Sequence, residues 1–433
     1  MAFQFKPKNY DAFRWVSLVA GMILLMTCTG HIWSLLVDPM INERGASDAF
    51  MAGCYSGLTI VGMIFTVVGG KLVDKLGANK MTLISMICYF IGNILCGISH
   101  NIWVFAIAQV IFVGFQQSVL YISVLATAST GFPDHRGVAM GFTTAGVSLG
   151  GMIISPLCQA AMDTFGFDAM FFIIGGSCFV VSLICVFLNP DPPQNYKPAG
   201  YVQAEAEEAE DKKKTRFVAN PDFVQKGNVE MFKDPAFYML FAILLLGVTG
   251  FMLLSYQMSY IAQDILGIEP IEAAFLVSGV SACGFAAKII GGFISDLIGR
   301  LNWVPICLLF STIAIGGLIF SGSHGIVWFA VCCFAYCFFM GSLAGSTGPL
   351  TNDLFGGEHF GSNFSIVYIG VLVAATISPW LAVVGRTTGD SPDYVPIFML
   401  CTVMCTIGFV ISLILRHIRN GKTEYILRKK DAE

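Results

Sequence analysis

GGKLVDKLG, residues 69–77, returns as GGFISDLIG, residues 291–299, and the shared pattern GGxxxDxxG decides the fold. The copies stand 222 positions apart in a chain of 433. Each follows the second long apolar run of its half and leads into the third. A segment that recurs at matching places in two apolar halves marks an internally duplicated membrane bundle. Gly70 and Gly292 let two helices approach closely. Asp74 and Asp296 fall at helix ends, where a carboxylate caps a neighbouring helix N-terminus or pairs with a basic loop residue such as Arg136 or Arg300. Gly77 and Gly299 close the two copies. These eight residues are expected to latch one end of the bundle together in one state and release it in another. The plainer alternative is a helix cap with no such role.

Outward from the repeat, the composition names the solvent. Hydrophobic residues make up 56% of the chain and charged residues 12%, against about 25% charged in a soluble domain. A bilayer crossing needs about 20 mostly apolar residues. Such runs lie near 15–37, 51–72, 81–98, 102–126, 139–160 and 168–188. A second six lie near 236–262, 271–295, 303–321, 325–348, 362–385 and 393–416. The expected fold is an all-α membrane protein of twelve transmembrane helices in two six-helix bundles. The bundles occupy 1–188 and 236–416, with a polar linker at 189–235 and a tail at 417–433. The linker opens with NPDPP and carries EAEEAEDKKK, a solvated composition. MAFQFKPKNYDAFRW at the start is basic and lacks a cleavage site, so the first run reads as an uncleaved helix.

Lys and Arg orient the bundle. One side takes Lys6, Lys8, Arg14, Lys75, Lys80, Arg136, the linker lysines, Arg300 and Arg416 through Lys430; the other takes Arg44 and Arg386. Both termini and the linker are therefore expected on the cytoplasmic side of a cell inner or plasma membrane. The fourteen cysteines sit almost entirely in apolar runs, as small hydrophobes rather than a disulfide scaffold. Cys333 and Cys337 have no His or carboxylate to join them in a metal site. No Walker A string, zinc-ligand cluster or Ser-His-Asp pattern is present, so no enzyme, cofactor or metal is expected. The net charge of -4 is segregated, and the basic residues form no stripe for nucleic acid.

Lys288, in SACGFAAKIIGGFISD, is the one Lys or Arg that cannot be moved into a loop. Eight residues separate it from Asp296, about 12 Å along a helix, which places it near the middle of a core about 30 Å thick. A charge there costs about 2.5–3.5 kcal/mol on insertion scales and faces a cavity or a partner. The functional reading is a cation that receives a substrate carboxylate. The alternatives are snorkelling toward the interface or pairing with an internal acid, but no Asp or Glu lies in the middle of a run. His31 in the first run is the second titratable group at depth, a hydrogen-bond donor or proton carrier, or else a neutral buried histidine. Gln117 and Tyr121 share one face of the fourth run, and Tyr256 and Tyr260 one face of the seventh. Polar groups at this depth face a cavity or another helix, although Tyr256 and Tyr260 could equally be interfacial aromatics.

The chain resembles the major facilitator superfamily over essentially its whole length. Within it, FPDHRGVAMG from Phe132 is similar to the fourth-to-fifth helix loop of the oxalate:formate antiporter family, a neighbour of the monocarboxylate transporters. GPLTNDLFGGEHFGSNFSIVY from Gly348 is similar to that family's tenth-to-eleventh helix segment, and Tyr121 stands where the family tends to place a pore tyrosine. The resemblance implies two bundles that rock about a midplane site, and a small carboxylate as substrate. At the position of Lys288 the family tends to have arginine. Its oxalate carrier has a second cation, a lysine, where alignment on Asn363, Tyr368 and Pro379 puts Val371. One cation suits a monoanion. The expectation is therefore a secondary carrier of a small monocarboxylate, working by anion exchange as a monomer in the lipid bilayer. Proton-coupled symport of a carboxylate or larger organic anion is the alternative, and a ligand-binding sensor the alternative of another class.

Overall fold

In the computed structural model, residues 10–28, 33–193, 196, 225–387 and 393–430 are described, and every regular element among them is helical. The first half holds α1 (Tyr10–Met26), α2 (Trp33–Arg44), α3 (Asp48–Leu76), α4 (Ala78–Ile98), α5 (Ile102–Ile107), α6 (Gly114–Gly131), α7 (Arg136–Phe165) and α8 (Phe167–Leu188). A short α9 (Asn228–Phe232) precedes α10 (Pro235–Leu266), α11 (Pro270–Ile298), α12 (Arg300–Gly317), α13 (Ser321–Phe355), α14 (Phe360–Thr387) and α15 (Val395–Lys430). The ends follow from local chemistry. Asp234 caps α10 through the Ala236 N–H with Pro235 in the first turn, and Glu269 with Glu272 forms a capping box before Pro270.

Ten helical stretches among the described residues are long and apolar enough to cross a bilayer. One of them, Arg300–Phe355, contains two crossings, because α13 breaks at Gly325, where φ is 75°. The first expected crossing, 15–37, falls on α1 and the start of α2, which are not among these ten. The single helix expected at 15–37 is thus interrupted. Thr27 and Cys28 bond back to Leu24 and Leu25 three residues earlier, which tightens and ends α1. The fourth crossing also departs from a plain helix. A π-helical segment, Ala108–Val113, joins α5 to α6 and inserts its wide turn just before Gln116. Several helices run past their expected ends; α15 continues through Lys430.

Apolar side chains point two ways, as a bundle in lipid requires. Leu24, Leu25, Val119, Leu120 and Met140 pack into a first-half core, and Leu240, Leu244, Leu308, Tyr336 and Val371 into a second-half core. Phe360 and Phe364 of α14 join the first-half core across the boundary. Outward-facing Ile60, Ile64, Val181 and Ile184 remain exposed, facing the hydrocarbon.

Candidate functional site

The two repeat copies bring four helices together in pairs, each pair joining one half to the other. Asp74, near the end of α3, accepts from the Gly361 and Ser362 N–H groups at 3.0 and 2.9 Å. Those groups open α14. Asp296, near the end of α11, accepts from the Gly137 and Val138 N–H groups at 3.2 and 3.0 Å. Those groups open α7. Each carboxylate therefore answers the unsatisfied donors and the positive end of a helix in the opposite half. The glycines make the approach possible. A Cβ on Gly70 would lie 2.4 Å from the Gly361 carbonyl oxygen, and one on Gly292 2.5 Å from that of Gly137. Gly77 and Gly299 take φ of 91° and 88°, turning directly from α3 into α4 and from α11 into α12.

The second copy carries more charge. Arg300 holds Asp296 at 2.7 Å and also pairs with Asp353 of α13. Arg136, the first residue of α7, lies within electrostatic range of Asp353. Ala78 stands where Arg300 would be in the first copy. There the start of α4 is capped by Asp191 of the linker, which accepts from the Asn79 N–H at 2.8 Å. Asn352 adds a further tie between halves, donating to Ser129 Oγ at 3.0 Å. All these contacts lie on the side that carries Arg136 and Arg300, so the bundle is closed there.

Deeper in, Lys288 reaches from α11 across to α7. Its Nζ donates to Ser148 Oγ at 3.0 Å and to the Thr144 carbonyl at 3.2 Å. Close helix packing sets this up, since a Cβ on Gly141 would lie 2.3 Å from the Lys288 carbonyl oxygen. No acidic side chain pairs with Lys288 among the described residues. Cys28, at the break after α1, lies within electrostatic range of both Lys288 and Tyr121. Tyr121 stacks on Tyr368 of α14, ring centroids 5.1 Å apart, and more loosely on Phe364. Cys28 thus stands between the lysine and the aromatic stack, within electrostatic range of each. The arrangement offers a part-buried lysine held by neutral groups, and among the described residues it shows no nucleophile–base pair for covalent chemistry.

The other sequence candidates separate. His31 lies outside the described residues. Tyr256 and Tyr260 lie on α10, and their side chains are likewise outside the description. Gln117 is half-buried on α6. Its neighbour Gln116 is fully buried and donates to the Thr27 carbonyl at the end of α1, at 3.4 Å. Val371 is buried in the second-half core. Thr144, Ser148, Asp353 and Asp191 were not singled out from the sequence, because small hydroxyls and loop acids are common and only their neighbours distinguish them.

The family model described as Major Facilitator Superfamily matches residues 18–278 and 248–432. The chain belongs to the major facilitator superfamily. It is 23% identical over 406 residues to the oxalate:formate antiporter of Oxalobacter formigenes, covering 92% of this chain and 90% of that protein. It is 22% identical over 367 residues to the MFS-type transporter YhjX of Escherichia coli K12, covering 84% and 86%. Among solved structures it superposes on the proton:xylose symporter XylE with a TM-score of 0.70 at 12% identity, over 93% of this chain and 94% of that one. This major facilitator protein is therefore a multi-pass membrane transporter and not an enzyme.

Proposed function

We propose that the protein carries a small monocarboxylate by alternating access, exchanging one anion for another. The observation behind this reading is Lys288: a cation held between the halves by neutral groups alone among the described residues. Substrate carboxylate would replace Ser148 and the Thr144 carbonyl as its partner, with Tyr121 and Tyr368 against the apolar remainder. His31, Gln117, Tyr256 and Tyr260 are the further candidates to line the path. Val371 leaves the site with a single cation, which matches a monoanion better than a dianion.

Exchange follows from charge. An empty carrier must close around an unpaired cation at a cost of several kcal/mol. A loaded one closes around a neutral pair. The two halves, 1–188 and 236–416, would rock about this site while the Asp74 and Asp296 caps hold the basic side shut in one state. The Lys and Arg bias supports a plasma-membrane topology with the termini, the linker and these caps cytoplasmic.

Proteoliposomes loaded with or without a monocarboxylate test the reading. Labelled external substrate should enter loaded vesicles and largely fail to enter empty ones, and Lys288→Ala should lose both binding and exchange. Equal uptake into empty vesicles driven by a pH gradient would overturn exchange in favour of symport. Ligand binding with no counterflow would leave a sensor.

A further inference from the structure

Gln116 has a requirement that no described residue meets. Its side chain is fully buried, its Nε2 donates to the Thr27 carbonyl at 3.4 Å, and its Oε1 has no hydrogen-bond partner among the described residues. Reversing the amide would set Oε1 against the Thr27 carbonyl, two acceptors face to face, so the unmatched atom is the acceptor. A buried amide oxygen without a donor is uncommon and calls for an explanation such as a ligand. The surroundings sharpen the demand. α1 ends at Met26, so its last carbonyls and the negative end of its dipole lie beside Gln116. That neighbourhood is rich in acceptors and suits an incoming donor.

Helix rise places Gln116 relative to the lysine. Ser148, which holds Lys288 Nζ, is twelve residues into α7, and Gln116 is fifteen residues from the end of α6 on the same side. At 1.5 Å per residue these are depths of about 18 and about 22 Å. Gln116 bonds to Thr27, and the next residue, Cys28, is within electrostatic range of Lys288, so each group has a neighbour at the end of α1.

We infer that Gln116 is a specificity residue whose Oε1 accepts a hydrogen bond from a hydroxyl on the carbon chain of the carboxylate held at Lys288. The inference rests on the reading of Lys288 as the carboxylate receptor. The substrate class narrows to hydroxylated monocarboxylates whose carbon chain reaches from Lys288 to Gln116. An unsubstituted acid would leave Oε1 unmatched, at a discrimination of roughly 5- to 150-fold.

Purified protein in detergent would be titrated with two probe pairs, 2-hydroxypropanoate against propanoate and 3-hydroxybutanoate against butanoate, following thermal shift. The same four acids would compete for exchange in proteoliposomes. Wild type should favour at least one hydroxylated member by 5-fold or more. Gln116→Met keeps the length and removes the acceptor; it should bring that preference close to one while still binding the unsubstituted acid, which also reports that the variant is folded. Gln116→Leu supplies a second variant with the same expectation. Equal affinity within both pairs in wild type, or a preference that survives both substitutions, would overturn the inference. Loss of all four acids in Lys288→Ala, with the hydroxyl preference absent in wild type, would sink Gln116 and leave the carboxylate reading standing. Binding of all four unchanged in Lys288→Ala would sink that reading instead.

Discussion

Lys288 and Asp296 sit eight residues apart on one helix and do different work because their partners differ. Lys288 ends among neutral acceptors, Ser148 Oγ and the Thr144 carbonyl. Asp296 ends among donors, the Gly137 and Val138 N–H groups and Arg300. Lys288→Arg keeps the charge and adds a bidentate fork. We expect it to retain exchange, with apparent affinity raised by up to about tenfold, about 1.4 kcal/mol, and a lower maximal rate; concentration-dependent uptake in proteoliposomes reads both. Arg300 distinguishes the two caps at this scale. Losing a cap costs about 0.5–2 kcal/mol. Asp296→Ala additionally leaves Arg300 with Asp353 alone. It should therefore lower the melting temperature of the purified protein more than Asp74→Ala does. The sequence points to Gln117 by its spacing from Tyr121, whereas in the structure its neighbour Gln116 is the fully buried one. Spacing alone assigns a shared face but not which face meets α1, and that contact is what buries Gln116.

Among elements, the pairs α3 with α14 and α7 with α11 depend on glycine at their closest points. A valine at Gly292 would drive its Cβ to about 2.5 Å from the Gly137 carbonyl oxygen, which belongs to backbone and has little room to yield. Gly292→Val should cost the closed arrangement about 1–3 kcal/mol, read as faster hydrogen exchange at the starts of α7 and α12. The start of α10 is tied differently. Asp234 accepts from the Ala236 N–H and pairs with Lys226 of the linker and Arg419 of α15. Burial resists its ionisation, but Lys226, the Ala236 N–H and Arg419 outweigh burial and hold its carboxyl below the ordinary range. A depressed carboxyl contributes stability that is complete above its unfolded value, about 3.9, and lost as pH falls through the lower native value. The melting-temperature gap between wild type and Asp234→Asn should thus be widest near neutrality and shrink on acidification toward pH 3. A constant gap would show that charge is not what ties α15 and the linker to α10.

For the molecule as a whole, the repeat makes the closed side pseudo-symmetric. Each half supplies one capping carboxylate and one helix start, and the two caps are in separate places on the boundary. Their effects should then add. Spin labels on exposed Lys75 and Glu358 span the α3–α14 boundary; labels on His135 and Leu297 span the α7–α11 boundary. In wild type each pair should give one short distance. In Asp74→Ala with Asp296→Ala a longer population should grow in both pairs, by roughly 5- to 30-fold for each 1–2 kcal/mol removed. A distance that grows in one pair only would mean that the halves do not separate as rigid units.

The all-helical membrane bundle, the duplicated GGxxxDxxG and the position of Lys288 inside an apolar run were legible in the sequence. Hydrophobic length, loop charge and repeat spacing are properties of neighbouring residues, and the bilayer acts on them directly. Only the tertiary structure decided that Asp74 meets α14 and Asp296 meets α7. It also decided that Lys288 is held by Ser148, that the first helix stops at Met26, and that Gln116 Oε1 has no donor among the described residues. Those outcomes depend on how helices more than a hundred residues apart pack against one another. Apolar surfaces that pack in many ways carry no local signal for which neighbour they will meet.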